Sequence, residues 1–355
     1  MDVYRPQPNE ARPRTPRARG AVLTNANSDF SATADSFSSR RTSIIVCGMH
    51  RAGTSAVARV VSLLGADLPK DLISPNANNV RGYWESRAVV QVHDQLLKAL
   101  GTSSADPLPL PRDWLELART QQAKAELVSI IETEFSKSHL FVLKDPRITK
   151  LLPLWLELLD DLHVDAGIVI PFRHPLDVAA SLKTRDNMSL ATSLLLYVDS
   201  YLNAELSSRG RRRCFISYDL LLSDWRHLQR KLTGILGARL REESREHSFE
   251  IETFLSPTLR HHQHNRDDLM RMTDAPAIVV ELYDLLNEAG LGNDSTGLQK
   301  SFDRLRLLAD DAAVLYRTYV IDERTKWQET VNQFESSRSW QATAPFRWMN
   351  RFLNF

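Results

Sequence analysis

Five residues have types and positions that could move a charged group: Arg51, Glu85, Lys144, Arg173 and Ser181. Arg51 lies within Gly48-Met-His-Arg-Ala-Gly53, which runs directly into Thr54 and Ser55. The glycines let backbone approach an anion, while loop N–H groups and a following helix N-terminus direct partial positive charge at it. The spacing is that of the nucleotide-binding loop G-x-x-x-x-G-K-[ST], except that Thr54 replaces the lysine. That lysine reaches the β- and γ-phosphates of a triphosphate. Its replacement argues against an ordinary NTPase, and Arg51 supplies the charge instead. The expected anion is phosphate-like and not a magnesium triphosphate.

Lys144 opens Lys144-Asp-Pro-Arg147 at the end of an apolar run, and Arg173-His-Pro175 follows another. Charged residues at carboxyl ends of strands are where an open α/β sheet places its chemistry. Lys144 is a compact cation suited to neutralising a transferring anionic group. Arg173 is expected at a helix N-terminus as a second anion site, with Ser181 two turns further on. Glu85 ends Arg81-Gly-Tyr-Trp-Glu85 and has two readings. It is a carboxylate favourable at a helix start, or a general base flanked by aromatic surface for a sugar or phenol. Tyr218 either stacks on an adenine or is a core tyrosine. Arg260-His-His-Gln-His264 has no cysteine or carboxylate at ligand spacing. It reads as a solvated loop, or one facing an anion, ahead of a metal site.

The elements that must position these residues are short apolar strands over 43–47, 140–143, 167–172 and 214–217, separated by helical stretches. This alternation predicts an α/β fold, a P-loop-like doubly wound, mostly parallel sheet flanked by helices, with a C-terminal helical extension. Residues 1–40 are a Pro-, Arg- and Ser-rich leader expected to be disordered. The α/β domain is expected over 41–270 and the helical extension over 271–355. Within the extension, helices over 278–289 and 298–335 read as a packing or homo-oligomerisation arm. An acid-free tail of aromatics and arginines follows from Ser339. It suits an interfacial membrane contact or docking on its own domain. With 45 basic against 44 acidic residues there is no excess for nucleic acid. No apolar run reaches membrane-spanning length, and the start lacks a secretory core. Cys47 and Cys214 fall in expected strands and read as buried small hydrophobes in a reducing, cytoplasmic compartment.

Together GMHRAGTS, RGYWE, KDPRI and RHPLDVAASL resemble the sulfotransferases that use 3′-phosphoadenosine 5′-phosphosulfate (PAPS), over about residues 42–264. The likeness is to bacterial carbohydrate-type members. It implies that the first loop (Gly48, His50, Arg51, Ala52, Gly53, Thr54 and Ser55) holds the 5′-phosphosulfate, and that Arg173 and Ser181 hold the 3′-phosphate. The chain is also similar to tyrosylprotein sulfotransferases around these motifs. By that likeness Arg51 and Lys144 steady the sulfuryl group and Glu85 is the candidate base. The resemblance further implies a metal-free reaction releasing adenosine 3′,5′-bisphosphate.

Two features depart from the family. The first-loop lysine of many cytosolic members is absent, as is their late Arg-Lys-Gly cofactor loop, for which the region around Arg260 is a candidate substitute. The tail is similar to segments ending helical arms in bacterial glycan-building enzymes. That implies a carbohydrate or glycolipid acceptor and a site at the inner face of the membrane. Two other readings stand: a divergent P-loop kinase or NTPase, for which magnesium ligands are not evident, and a non-catalytic scaffold on a nucleotide fold.

Overall fold

The computed structural model describes residues 40–76, 79–236, 240, 245–255, 264–272, 276–292 and 296–343. The expected disordered leader, residues 260–263 of the histidine cluster and the tail beyond 343 lie outside them.

The strands are β1 (Thr42–Val46), β2 (Leu140–Lys144), β3 (Asp165–Phe172) and β4 (Arg212–Ser217). All pair parallel in the order β2-β1-β3-β4. Helices α1 (Thr54–Leu63), α2 (Arg87–Ala99) and α3 (Ala118–Phe135) lead from β1 to β2. Helix α4 (Ile148–Asp161) crosses back to β3, and α5 (Pro175–Asp186) and α6 (Leu190–Ser207) lead on to β4. Then follow α7 (Tyr218–Ser223), α8 (Trp225–Leu236), α9 (Arg245–Phe254), α10 (Arg266–Arg271), α11 (Ala277–Gly290), α12 (Thr296–Ser336) and α13 (Arg338–Ala342). The chain leaves β1 towards one edge and β3 towards the other. A crevice therefore opens at their carboxyl ends, the switch point of a doubly wound sheet.

Alternate strand residues serve two cores. Ile45, Leu143, Ile168, Ile170 and Phe215 pack with α3, α4, α6 and α11 on one face. Ile44, Val46, Val142, Val169 and Ile216 pack with α1, α8 and α9 on the other. Burial on both faces explains the near-continuous apolar strands. Val279, Leu286, Phe302 and Leu305, from α11 and the start of α12, join the first core. Further along α12, Val314, Leu315, Tyr319 and Trp327 are exposed.

Pro171 is tolerated in a central strand because of where β1 ends. Cys47 N–H donates to Val169 O (3.1 Å), and Pro171, two residues on, faces the same side after β1 has stopped.

The structure adjusts several expected boundaries. Cys47 lies just past β1 and not within it, although both cysteines are buried as expected. Burial pushes each thiol up to about 12, which keeps both unreactive. Between a 3-10 turn (Trp114–Glu116) and α3, Leu117 is extended (φ −66°, ψ 138°). Among the described residues, no helix is long and apolar enough to cross a membrane.

Candidate active site

The loop after β1 turns between the ends of β1 and β3. Gly48 is needed there because a Cβ would lie 2.8 Å from the Pro171 carbonyl oxygen. Gly48 N–H donates to Thr149 Oγ1 (2.7 Å), and that hydroxyl donates back to Gly48 O (3.0 Å). Helix α4 thus clamps the loop. Arg51 adopts a left-handed backbone, φ 67°, a strain that survives only where the surroundings enforce it. Gly53, at φ 93°, precedes α1 and offers it no side-chain cap. The orphan N–H groups of the first turn are therefore left to backbone, water or a ligand. A Cβ on Gly53 would stand 2.3 Å from Tyr218 Cδ2, so the ring of Tyr218 lies directly on the loop.

Glu85 arrives on the segment before α2, whose N-cap Ser86 accepts from Val89 N–H (3.3 Å). Trp84, beside it, is also left-handed, at φ 59°. Its ring packs under the Arg59 guanidinium (4.8 Å) and edge-on to Phe254 (6.4 Å). The expected aromatic flank of Glu85 is thus supplied on the cavity side by Tyr83, while Trp84 faces the α1–α9 core.

Lys144, the last residue of β2, sits beside Val46 of β1. Its buried ammonium donates to Glu85 Oε1, to Tyr83 O (3.0 Å) and to Ser55 Oγ (3.1 Å), which occupies all three of its protons. Burial pushes the Glu85 carboxyl up, and the Lys144 charge opposes that rise. In a triphosphate-binding loop the hydroxyl at the Ser55 position ligates magnesium; here it accepts from an ammonium.

Behind Lys144 runs a fixed polar chain. Trp155 Nε1–H donates to His93 Nε2 (2.9 Å), and His93 Nδ1 meets Asp145 Oδ2 (2.7 Å). An indole can only donate, so His93 carries its proton on Nδ1 and gives that hydrogen bond to Asp145. Asp145 Oδ1 also accepts from Arg147 N (2.9 Å) and Nη1 (3.0 Å). Burial alone would raise the Asp145 carboxyl, but His93 and Arg147 hold it well below the usual carboxylate range. Arg147, clasped by Asp94 as well (2.5 and 3.2 Å), is aimed at the cavity by two acids.

On the β3 side the helix-terminus expectation changes. The N-terminus of α5 is closed by its own side chains: His174 Nδ1 accepts from Leu176 N–H (3.3 Å), and Asp177 sits in the first turn. Arg173 is oriented instead by Asp177 Oδ2 (Nε and Nη2 both at 3.2 Å) and lies over the Tyr218 ring at 5.1 Å. Asp177 Oδ1 accepts from His264 N (3.0 Å) and pairs with His264 Nδ1 (2.6 Å). Ligand atoms of His174, Asp177 and His264 lie within 4.8 Å of one another. Since His174 Nδ1 accepts, its ring proton sits on Nε2, and Asp177 is already shared between Arg173 and His264.

These parts open into one cavity of about 790 Å³, within the range of small-molecule sites. His50, Arg51, Gly53, Thr54 and Ser55 of the loop meet Glu85 and Lys144 there, with Arg173, Ser181 and Tyr218 on the far wall. The two halves touch, since Arg51 Nε donates to Ser181 Oγ (2.8 Å). Gly48 and Ala52 stay outside the wall, Gly48 engaged by Thr149 and Ala52 fully buried. Of the expected histidine cluster, only His264 falls among the described residues.

Sequence reasoning missed three further cations in the wall: Arg81, Arg147 and Arg185. Arg81 and Arg147 lie inside the quoted motifs, and Arg185 falls one helical turn after Ser181. Six Lys and Arg side chains thus face the cavity against Glu85 and Asp186. Arg81 Nη1 is buried without a hydrogen-bond partner among the described residues. Burial, reinforced by the Arg185 charge, pushes His50 down to about 3, so its ring is neutral. Burial and the Arg185 and Arg173 charges also lower Arg51. Four of the six cations are ion-paired, Lys144 to Glu85, Arg147 to Asp145 and Asp94, Arg173 to Asp177 and Arg185 to Asp186, so the wall keeps a modest cationic excess that favours an anion.

The sequence matches no established protein-family profile and no curated protein. The solved structures to which it is similar include three sulfotransferases. The sulfotransferase domain from the Synechococcus PCC 7002 olefin synthase is 16% identical, with 77% of this chain and 95% of that one covered and a TM-score of 0.36. The sulfotransferase domain from the curacin biosynthetic pathway is 15% identical over 59% and 77%, TM-score 0.32. A mouse sulfotransferase complexed with PAP is 14% identical over 79% and 88%, TM-score 0.31.

Proposed function

We propose that this protein transfers the sulfuryl group of PAPS to a hydroxyl of a carbohydrate acceptor. The observation that carries this reading is the single cationic cavity in which the glycine loop and the β3–α5 end meet through the Arg51–Ser181 hydrogen bond. A nucleotide phosphorylated at both ends needs two anion sites within one molecule's reach, and the closeness of the loop cations to Arg173 and Ser181 supports that reading. The buried, unpartnered Arg81 Nη1 and the capless α1 terminus are donors awaiting an anion, so the residues present fit such a donor.

When bound, PAPS supplies a sulfur whose bond to the bridging phosphate oxygen breaks as one to the acceptor oxygen forms, the bisphosphate leaving with the electron pair. In our reading, Arg51 and the loop N–H groups grip the 5′ end, and Arg173 and Ser181 the 3′ end. Glu85 takes the acceptor proton, for which a carboxyl raised by burial is better matched than an ordinary one. Protonation of Glu85 turns a neutral Lys144–Glu85 pair into a net cation while negative charge moves to the leaving group. Lys144 then has a proton to offer the sulfuryl oxygens, and the charge change comes without movement of the side chains.

A kinase or NTPase reading is disfavoured because Ser55 is bonded to Lys144, and both cavity acids are ion-paired, Glu85 to Lys144 and Asp186 to Arg185. Calorimetry with adenosine 3′,5′-bisphosphate, ATP and GTP separates the readings. Micromolar or tighter bisphosphate binding without magnesium is expected. Preference for ATP with magnesium would overturn the proposal, as would binding of none of the three.

A further inference from the structure

We infer that the acceptor is an amphiphile, its hydroxylated head in the cationic cavity and its aliphatic chain in a second, apolar cleft beside it; this rests on the sulfotransferase reading. The second cleft measures about 810 Å³ and lies between α6, α11, α12 and the Pro-rich segment before α3, with Pro107, Leu190, Leu194, Val198, Ala312 and Tyr316 in its wall. The two spaces share two stretches of backbone. Ser104 faces the cationic cavity and Pro107, three residues on, faces the apolar cleft. Asp186 faces the first and Leu190, across the α5–α6 turn, faces the second. Three or four residues span at most about 14 Å even when fully extended, so the two spaces lie within the length of one amphiphilic ligand.

The cleft offers a ligand little besides apolar surface. Its charged lining groups are already engaged: Arg306 donates to Asn203 Oδ1 (2.7 Å) and Asp310 (3.1 Å), and Asp199 accepts from Asn203 (2.8 Å). Leu190, Leu195 and Leu308 nevertheless stay 44%, 42% and 52% exposed. Apolar side chains left open in a concave wall that adjoins a polar site suit a hydrocarbon chain anchored by a polar head. A free polysaccharide would leave this surface wet; a glycolipid-like acceptor covers it.

The test uses n-alkyl β-glucosides from methyl to octyl, below micellar concentration, titrated calorimetrically into the full chain saturated with adenosine 3′,5′-bisphosphate. Each buried methylene should tighten binding about four-fold, so butyl to octyl should differ by roughly two-hundred-fold. In the double variant Leu195→Asp/Leu308→Asp, whose sites are half-exposed and tolerate charge, the length dependence should vanish while bisphosphate affinity stays unchanged. A flat series in the parent protein overturns the inference, even if methyl glucoside is sulfated. A steep series without sulfated product from labelled PAPS upholds the cleft and overturns the transfer reaction instead.

Discussion

Replacing Lys144 by methionine tests whether the Glu85–Lys144 pair is the desolvated centre of the site. The two side chains are 7% and 2% exposed, so the substitution strands a buried carboxylate and leaves Tyr83 O and Ser55 Oγ only longer hydrogen bonds, from Ser55 Oγ (3.4 Å) and Asn79 Nδ2 (3.5 Å). Breaking a buried pair by removing one partner costs about 3–5 kcal/mol, whereas an exposed pair costs about 0–1 kcal/mol. Urea unfolding near neutral pH should therefore show a loss of about 3 kcal/mol. Glu85→Gln in the same chain removes the stranded charge and should return part of that loss. Transfer activity should not return, because the double variant lacks both the base and the cation that compensates the sulfuryl, the latter alone a deficit of about 2–4 kcal/mol of barrier. The pH dependence carries a sign. Burial places the folded carboxyl above its unfolded value, and without Lys144 it rises further. The folded state then binds the extra proton, so Lys144→Met should gain stability relative to wild type as pH falls towards about 4.5. A loss below about 1 kcal/mol, or one independent of pH, would refute the buried pair and with it the base assigned to Glu85.

Three other perturbations probe the remaining parts. Arg173→Gln should weaken adenosine 3′,5′-bisphosphate binding about 10- to 100-fold by calorimetry, since a charge-assisted hydrogen bond is worth about 1.5–3 kcal/mol; unchanged affinity would remove Arg173 from the site. Gly53→Ala should cost more than the ~1–2 kcal/mol of a left-handed residue, because its Cβ meets Tyr218 Cδ2. Tyr218→Ala in the same chain should recover the excess, and strict additivity in the denaturation cycle would contradict the close approach. Asp145 is held below its unfolded value, so its stabilisation is complete above about pH 4 and is lost progressively as pH falls from there through the lower folded value. Asp145→Asn should flatten the acid limb of the stability profile, and an unaltered limb would mean that the His93–Asp145–Arg147 chain is not what holds that proton off.

The strands and the glycine loop were legible in the sequence because each is local. A run such as Ser43-Ile-Ile-Val can only be a buried strand beside glycines spaced for an anion. Lys144 and Arg173 were legible too, since a charge directly after an apolar strand lands at the sheet's carboxyl edge. What the sequence hid was partnership across long separations. That Lys144 saturates its protons on Glu85, Tyr83 and Ser55 depends on three segments meeting, and no spacing encodes it. Asp177 was passed over because its pattern is that of an ordinary first-turn acid, yet it orients Arg173 and binds His264. Arg81 and Arg185 look like surface arginines in sequence, and only the crevice between β1 and β3 gives them a common target. Trp84 was misplaced for a local reason of another kind, a left-handed backbone that no pattern of neighbours announced.

The strand order has a consequence for biosynthesis. Ile44 of β1 pairs with Val142 on one side and Gly167 on the other, so the middle of the sheet is translated first and must wait for both neighbours. At roughly 5–20 residues per second, that nascent apolar segment stays unpaired for several seconds after it leaves the ribosome. Over that interval it is exposed to misassociation, and expression yield should respond to chaperone supply more steeply than the stability of the finished protein would suggest.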